Sequence, residues 1–188
     1  MPPSPTLLVA LMCTVEVLTM LGVFTFPALL PGFLAEWGLD RTQAGWIAGA
    51  TFIGYAATVP VLIGLTDRVD ARIIYVAGAG LTALALAGFA LWADGFAGAL
   101  VWRLLAGIGL AATYMQGVRA IADRYDGKGL PRGIAFYTAS FSLGTAASFY
   151  LSGILDGALG WRATFAVCAG AALLAGILVA VLLKPVRP

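Results

Sequence analysis

The chain has 188 residues, 61% of them hydrophobic and only 11% charged, with a formal net charge of +2. A soluble domain carries about 25% charged residues, and a fold of this size could not hide so much apolar surface from water, so the composition describes a chain that lives in lipid. The small net charge implies no nucleic-acid partner, and the absence of histidine removes the usual neutral-pH proton shuttle and the commonest metal ligand.

A helix needs about 20 apolar residues to cross roughly 30 Å of hydrocarbon. Six stretches qualify, near 7–30, 44–64, 73–93, 97–118, 134–154 and 163–183. They predict an all-α membrane protein with one six-helix transmembrane domain over residues 1–188. The runs are too long for barrel strands. The first follows Met1-Pro2-Pro3-Ser4-Pro5, carries no preceding Lys or Arg, is interrupted by Glu16 and has no convincing cleavage site after it. It reads as a spanning helix and not a signal peptide. Pro27 would weaken its outer end and permit a bend; a helix end near Pro31 is an equal alternative. Cys13 and Cys168 fall inside apolar runs and read as small buried hydrophobes. Many of the 24 glycines lie in the spans, where small residues let helix backbones approach: Gly45 with Gly49, Gly78 with Gly80, and Gly107 with Gly109.

The separators carry the charges and set the orientation. The second and fourth separators and the tail hold Arg68, Arg72, Arg119, Arg124, Lys128, Arg132, Lys184 and Arg187, against Arg41 and Arg162 in the others. Basic residues are retained inside, so both termini are expected in the cytoplasm. Trp37, Trp46, Trp92, Trp102 and Trp161 all fall near the opposite, outer ends of spans, where indole favours the interface. Short loops make successive helices antiparallel neighbours.

Two ionisable residues sit well inside the spans, Glu16 and Arg103. A charge at mid-bilayer costs about 2.5–3.5 kcal/mol by insertion scales, so each needs a partner or a water-filled cavity. At about 1.5 Å per residue, Glu16 lies roughly 14 Å from the inner face and Arg103 roughly 8 Å from the outer one. Two long side chains could bridge the difference, directly or through water. The alternative is that Arg103 snorkels outward and Glu16 is simply protonated. Arg103, Gly107, Leu110, Tyr114 and Gly117 share one face of the fourth span, and Glu16, Met20, Val23 and Pro27 share one of the first. The second separator, Gly64-Leu65-Thr66-Asp67-Arg68-Val69-Asp70-Ala71-Arg72, can form a local ion network or a plain solvated turn.

That loop resembles the signature G-x-L-x-D-R-x-G-R-R/K between helices 2 and 3 of the major facilitator superfamily. Leu65, Asp67, Arg68 and Arg72 match; Ile63 replaces the first glycine, Asp70 the second, and Ala71 one of the paired basic residues. Arg103-x-x-x-Gly107-x-Gly109 resembles the family's helix 4 motif, and Gly160-Trp161-Arg162 with Phe165 the opening of its helix 6. The Gly-Pro step that antiporters of the family often carry in helix 5 is absent, since the corresponding stretch reads Leu143-Gly144-Thr145-Ala146.

The resemblance implies the amino-terminal six-helix half of such a transporter, built of two inverted three-helix units, with substrate bound between two halves. It implies a secondary transporter of the cell inner membrane that moves a small solute by alternating access, with possible coupling to protons. Glu16, Arg103 and Tyr114 would contact substrate or couple protons, Gly107 and Gly109 would pack the cavity helices, and Asp67, Arg68 and Arg72 would gate the cytoplasmic side. A second half or a homodimer partner would complete the cavity, and no cofactor or metal is implied. The alternative is a non-transporting scaffold or assembly subunit. An embedded enzyme is disfavoured, because no metal-ligand cluster or intramembrane acid pair exists and Ser140, Ser142 and Ser148 lack a base.

Overall fold

The apolar run that starts at Pro5 does not stay helical to residue 30. In the computed structural model, which describes residues 5–125, 127 and 129–186, it is divided into α1 (Pro5–Met20), α2 (Thr25–Ala28) and α3 (Leu30–Trp37). Residues 21–24 form turns between the first two. The expected single helix over 7–30 is therefore corrected to a broken one. The cause is local: Pro27 has no N–H, which leaves the carbonyl of Val23 without its helical donor.

Gly38, at φ +60°, closes α3. Asp40 then opens α4 (Arg41–Thr66) with a capping box: Gln43 N–H donates to Asp40 Oδ1 at 2.8 Å and Asp40 N–H to Gln43 Oε1 at 3.1 Å. The remaining helices are α5 (Ala71–Trp92), α6 (Phe96–Ala122), α7 (Leu130–Leu159) and α8 (Trp161–Leu182). α7 and α8 meet at Gly160, whose φ of +81° only glycine adopts without strain. No strand occurs among the described residues. Lys128 and Arg187, part of the basic count, lie outside them.

α5 packs on α6 and α8, α4 on α6, and α1 on α7 and α8. Exchanging α1, α4 and α5 with α6, α7 and α8 turns the α4–α6 and α5–α6 contacts into α7–α1 and α8–α1, both of which are present. One end of the bundle is an aromatic cluster of Phe26, Phe33, Phe89 and Phe165 with Trp37 and Trp161 against it. The other is filled by Leu8, Met12, Tyr75, Ile121, Tyr137 and Val179.

Glycine sets the closest approaches. A Cβ on Gly107 would overlap the Thr51 carbonyl oxygen, and one on Gly54 the Leu104 carbonyl oxygen, so α4 and α6 touch backbone to backbone. Gly78 and Gly109 do the same for α5 and α6. Gly45, Gly49 and Gly80, expected as packing faces, have open space beside them instead. They lie on the outward flanks of α4 and α5, where spacing alone could not distinguish a packed glycine from a free one.

Among the described residues, α4, α5, α6 and α8 are long and apolar enough to cross a membrane. α1 is apolar but only 16 residues long, about 24 Å. The chain is a multi-pass membrane protein of helical type.

Candidate functional site

The break in the first span builds the site. Backbone that leaves a helix at membrane depth must find other partners. Arg103, fully buried on α6, supplies two of them: Nη1 donates to Gly22 O at 3.2 Å and Nη2 to Val23 O at 2.7 Å. Ser148 of α7 supplies two more, accepting from Phe24 N–H at 3.1 Å and donating to Leu21 O at 2.6 Å. Ser152 joins through Thr25 Oγ1 at 2.9 Å. The guanidinium fork suits this task, since two parallel donors meet two successive carbonyls.

A direct bridge from Arg103 to Glu16, one of the arrangements the sequence left open, is not formed: Arg103 is occupied by the break, and no ion pair joins the two. Glu16 is fully buried on α1. Tyr137 of α7 donates its hydroxyl to Glu16 Oε2 at 2.7 Å, and the same hydroxyl lies 3.1 Å from the carbonyl oxygen of Tyr114 on α6. Glu16 Oε1 and the hydroxyl of Tyr75 on α5 are buried with no hydrogen-bond partner among the described residues.

Tyr114 covers this pair on the accessible side. Its ring stacks on Tyr137 at 5.9 Å and meets Phe141 edge-on at 5.3 Å. Beyond it lies a pocket of about 340 Å³ lined by Phe52 and Tyr55 of α4, Leu110 and Tyr114 of α6, and Thr138, Phe141 and Ser142 of α7. The lining is aromatic with a few hydroxyls and no charge. A larger groove of about 770 Å³ lies between α1 and α7, lined by Val9, Cys13, Arg132, Phe136 and others. Its α7 residues occupy the opposite flank of that helix from Thr138 and Phe141, and it contains none of the expected site residues.

At the far end of the bundle, the residues expected to gate behave differently from one another. Asp67 and Arg68 are exposed, and among the described residues no hydrogen bond or ion pair engages either side chain. Arg72 Nη2 donates to the Ala180 carbonyl of α8. Asp70, read as part of the loop but not as a gating residue, carries the network. It caps α5 by accepting from Arg72 N–H at 2.9 Å. It pairs with Arg124 at 3.2 Å and accepts from Val186 N–H at 2.8 Å. Arg124 also donates to Lys184 O at 2.8 Å. The segment after α8 is thus latched to the α4–α5 corner.

This latch titrates. Burial raises the Asp70 carboxyl, but the bonds from Arg72 N–H, Val186 N–H and Arg124, with the guanidinium charge, outweigh burial and hold it below its ordinary 3.8. A carboxyl held low in the fold stabilises above its ordinary value and loses that contribution as pH falls through the lowered one. Thermal unfolding of the purified chain should therefore weaken as pH drops below about 4, and Asp70→Asn should flatten that part of the profile. A profile unchanged by the substitution would remove the latch from the stability of the fold.

Among sequence signals, Asp70 stood in the charged loop as a departure from the signature's glycine, and Pro27 marked a weak point in the first span without showing what would hold it. Tyr137 and Ser148 carried no signal, being ordinary polar residues of a long apolar run.

A probable 4-methylmuconolactone transporter of Cupriavidus pinatubonensis is 29% identical over 152 residues, which cover 74% of this chain and 33% of the relative. The niacin transporter NiaP of Acinetobacter baylyi is 24% identical over 146 residues, 78% of this chain and 33% of the relative. The chain spans about a third of the length of the curated relatives it matches. A family profile described as the Major Facilitator Superfamily matches residues 12–188, from α1 through the latch, and the chain belongs to that superfamily.

Proposed function

We propose that the chain is the amino-terminal half of a secondary transporter that carries a small, ring-bearing solute by alternating access, coupled to a proton held on Glu16. The observation that carries this reading is a carboxyl buried at the core of a superfamily member, with one oxygen unpaired, behind an aromatic pocket. An ionised group left so is expensive in a low-dielectric interior, whereas a carboxyl that accepts and returns a proton gains from the isolation.

In this reading the broken α1–α3 segment is the first of six spans, and α4 to α8 are the others. They form two inverted three-helix units, in keeping with the symmetric neighbour pattern. Both termini lie on the cytoplasmic side, with the Asp70 latch. The solute rests against Phe52, Tyr55, Tyr114 and Phe141, whose ring faces suit a planar ring. The two relatives are named for ring compounds. Arg103 keeps the α1 break closed and does not touch solute; Gly107 and Gly109 hold the cavity helices together. Exposed Asp67 and Arg68 are free to meet a second six-helix half, in the same chain or a partner copy, which completes the cavity.

Proteoliposomes containing this half with its complement test the coupling. Glu16→Gln should reduce pH-gradient-driven uptake on the order of a hundredfold while leaving expression normal. Undiminished gradient dependence would remove Glu16 from the cycle.

A further inference from the structure

One phenol hydroxyl stands between two acceptors on two different helices. Tyr137 Oη is 2.7 Å from Glu16 Oε2 on α1 and 3.1 Å from Tyr114 O on α6, and it has one proton to give. We infer that Tyr137 is a positioning residue that reads the protonation state of Glu16 and reports it to α6, through a hydroxyl that turns from the carboxylate to the Tyr114 carbonyl. The inference rests on the proposed proton-carrying role of Glu16.

The bookkeeping of atoms is simple. With Glu16 ionised, Tyr137 O–H donates to Oε2, and the Tyr114 carbonyl keeps only its place in the α6 ladder. When one proton arrives on Oε2, that oxygen becomes the donor and Tyr137 Oη the acceptor. The tyrosine proton then points to the Tyr114 carbonyl, which has a second lone pair for it. No covalent bond of the phenol breaks and its heavy atoms need not move. One proton bound at α1 thereby creates a tie between α7 and α6 that is missing in the ionised state.

A gap in α6 makes the arrangement possible. A Cβ on Gly117 would collide with Tyr137 Oη, so only glycine at that position lets the hydroxyl reach the α6 backbone. Tyr137 is itself fully buried, so water does not compete for its proton. The titratable groups near enough to feel the charge on Glu16 are Cys13 on α1, Tyr55 on α4, Tyr75 on α5 and Tyr137 on α7, with Tyr114 of α6 stacked on the last. No ion pair reaches Glu16 among the described residues.

Infrared difference spectroscopy of the full chain in lipid vesicles, acidified without solute, tests this directly. In the wild type, a protonated-carboxyl band that Glu16→Gln removes should appear together with a shift of one tyrosine C–O band. Tyr137→Phe should keep the carboxyl band and lose the tyrosine shift completely. Gly117→Ala, which displaces the hydroxyl but retains Tyr137, should also lose the shift. A purely structural Tyr137 would leave no tyrosine band moving with the carboxyl. A wild-type carboxyl band without a tyrosine shift, a shift that survives Tyr137→Phe, or the absence of any Glu16 band would each overturn the inference. Failure of the transport reading is separable, because it shows as gradient-driven uptake that ignores Glu16→Gln whatever the infrared bands do.

Discussion

Arg103→Met should lower the stability of the purified chain by about 2–4 kcal/mol, because it strands two backbone carbonyls in the membrane interior. The side chain is close in volume and apolar, so packing is largely retained. What disappears is the pair of bonds to Gly22 O and Val23 O. Removing a buried guanidinium also removes its own desolvation, which returns part of the loss and sets the upper bound. Arg103→Lys should fall between wild type and methionine, since a single ammonium cannot span both carbonyls with the geometry of a planar fork. Thermal unfolding in detergent, monitored by helix content, reads the effect. A methionine variant as stable as the wild type would mean that the break is held by Ser148 and packing alone.

Gly107→Ala should cost about 1–3 kcal/mol and abolish the tight α4–α6 contact, as overpacking does in a core that cannot yield. The added Cβ would meet the carbonyl oxygen, carbonyl carbon and Cα of Thr51, all backbone, so no side chain can turn aside to make room. Gly45→Ala, on the outward flank of α4, meets nothing and should stay within about 0.5 kcal/mol of the wild type. The contrast between the two, measured in the same detergent, isolates backbone approach from the general effect of losing a glycine. Equal effects would mean that α4 and α6 are not held at the distance seen here.

Much of this architecture is legible from hydropathy, because lipid leaves a chain few alternatives: long apolar runs must become helices, and charges must fall between them. The five later runs accordingly became α4 to α8, with ends extended by several residues where capping groups such as Asp40 lay outside the apolar stretch. The first run misled because composition does not register a missing N–H. Pro27 removes one donor, and the consequence appears at Val23, four residues earlier, on a carbonyl that any residue type would carry. The site was half legible for a related reason. Glu16 and Arg103 are conspicuous in lipid, yet their partners are backbone carbonyls and a tyrosine, groups with no distinguishing pattern along the chain. Two opposite charges within bridging reach left a pair open; the unwound backbone was the stronger claimant for the cation. At the loop, the side chains of the matching residues Asp67 and Arg68 form no hydrogen bond or ion pair among the described residues, while the mismatch at Asp70 carries the network. A side chain that replaces glycine at a capping position brings new bonding capacity with it, and a pattern match discards that information.

The clamp at the broken span also limits how the protein can move. If the break between α1 and α2 slid relative to α6 by even the length of one hydrogen bond, Gly22 O and Val23 O would face hydrocarbon, at several kcal/mol for each unsatisfied group. The turn at residues 21–24 and α6 therefore move together, with flexing left to segments whose backbone is internally satisfied. A pair of distance probes placed on that turn and on α6 should then report the same separation in every conformation the protein visits.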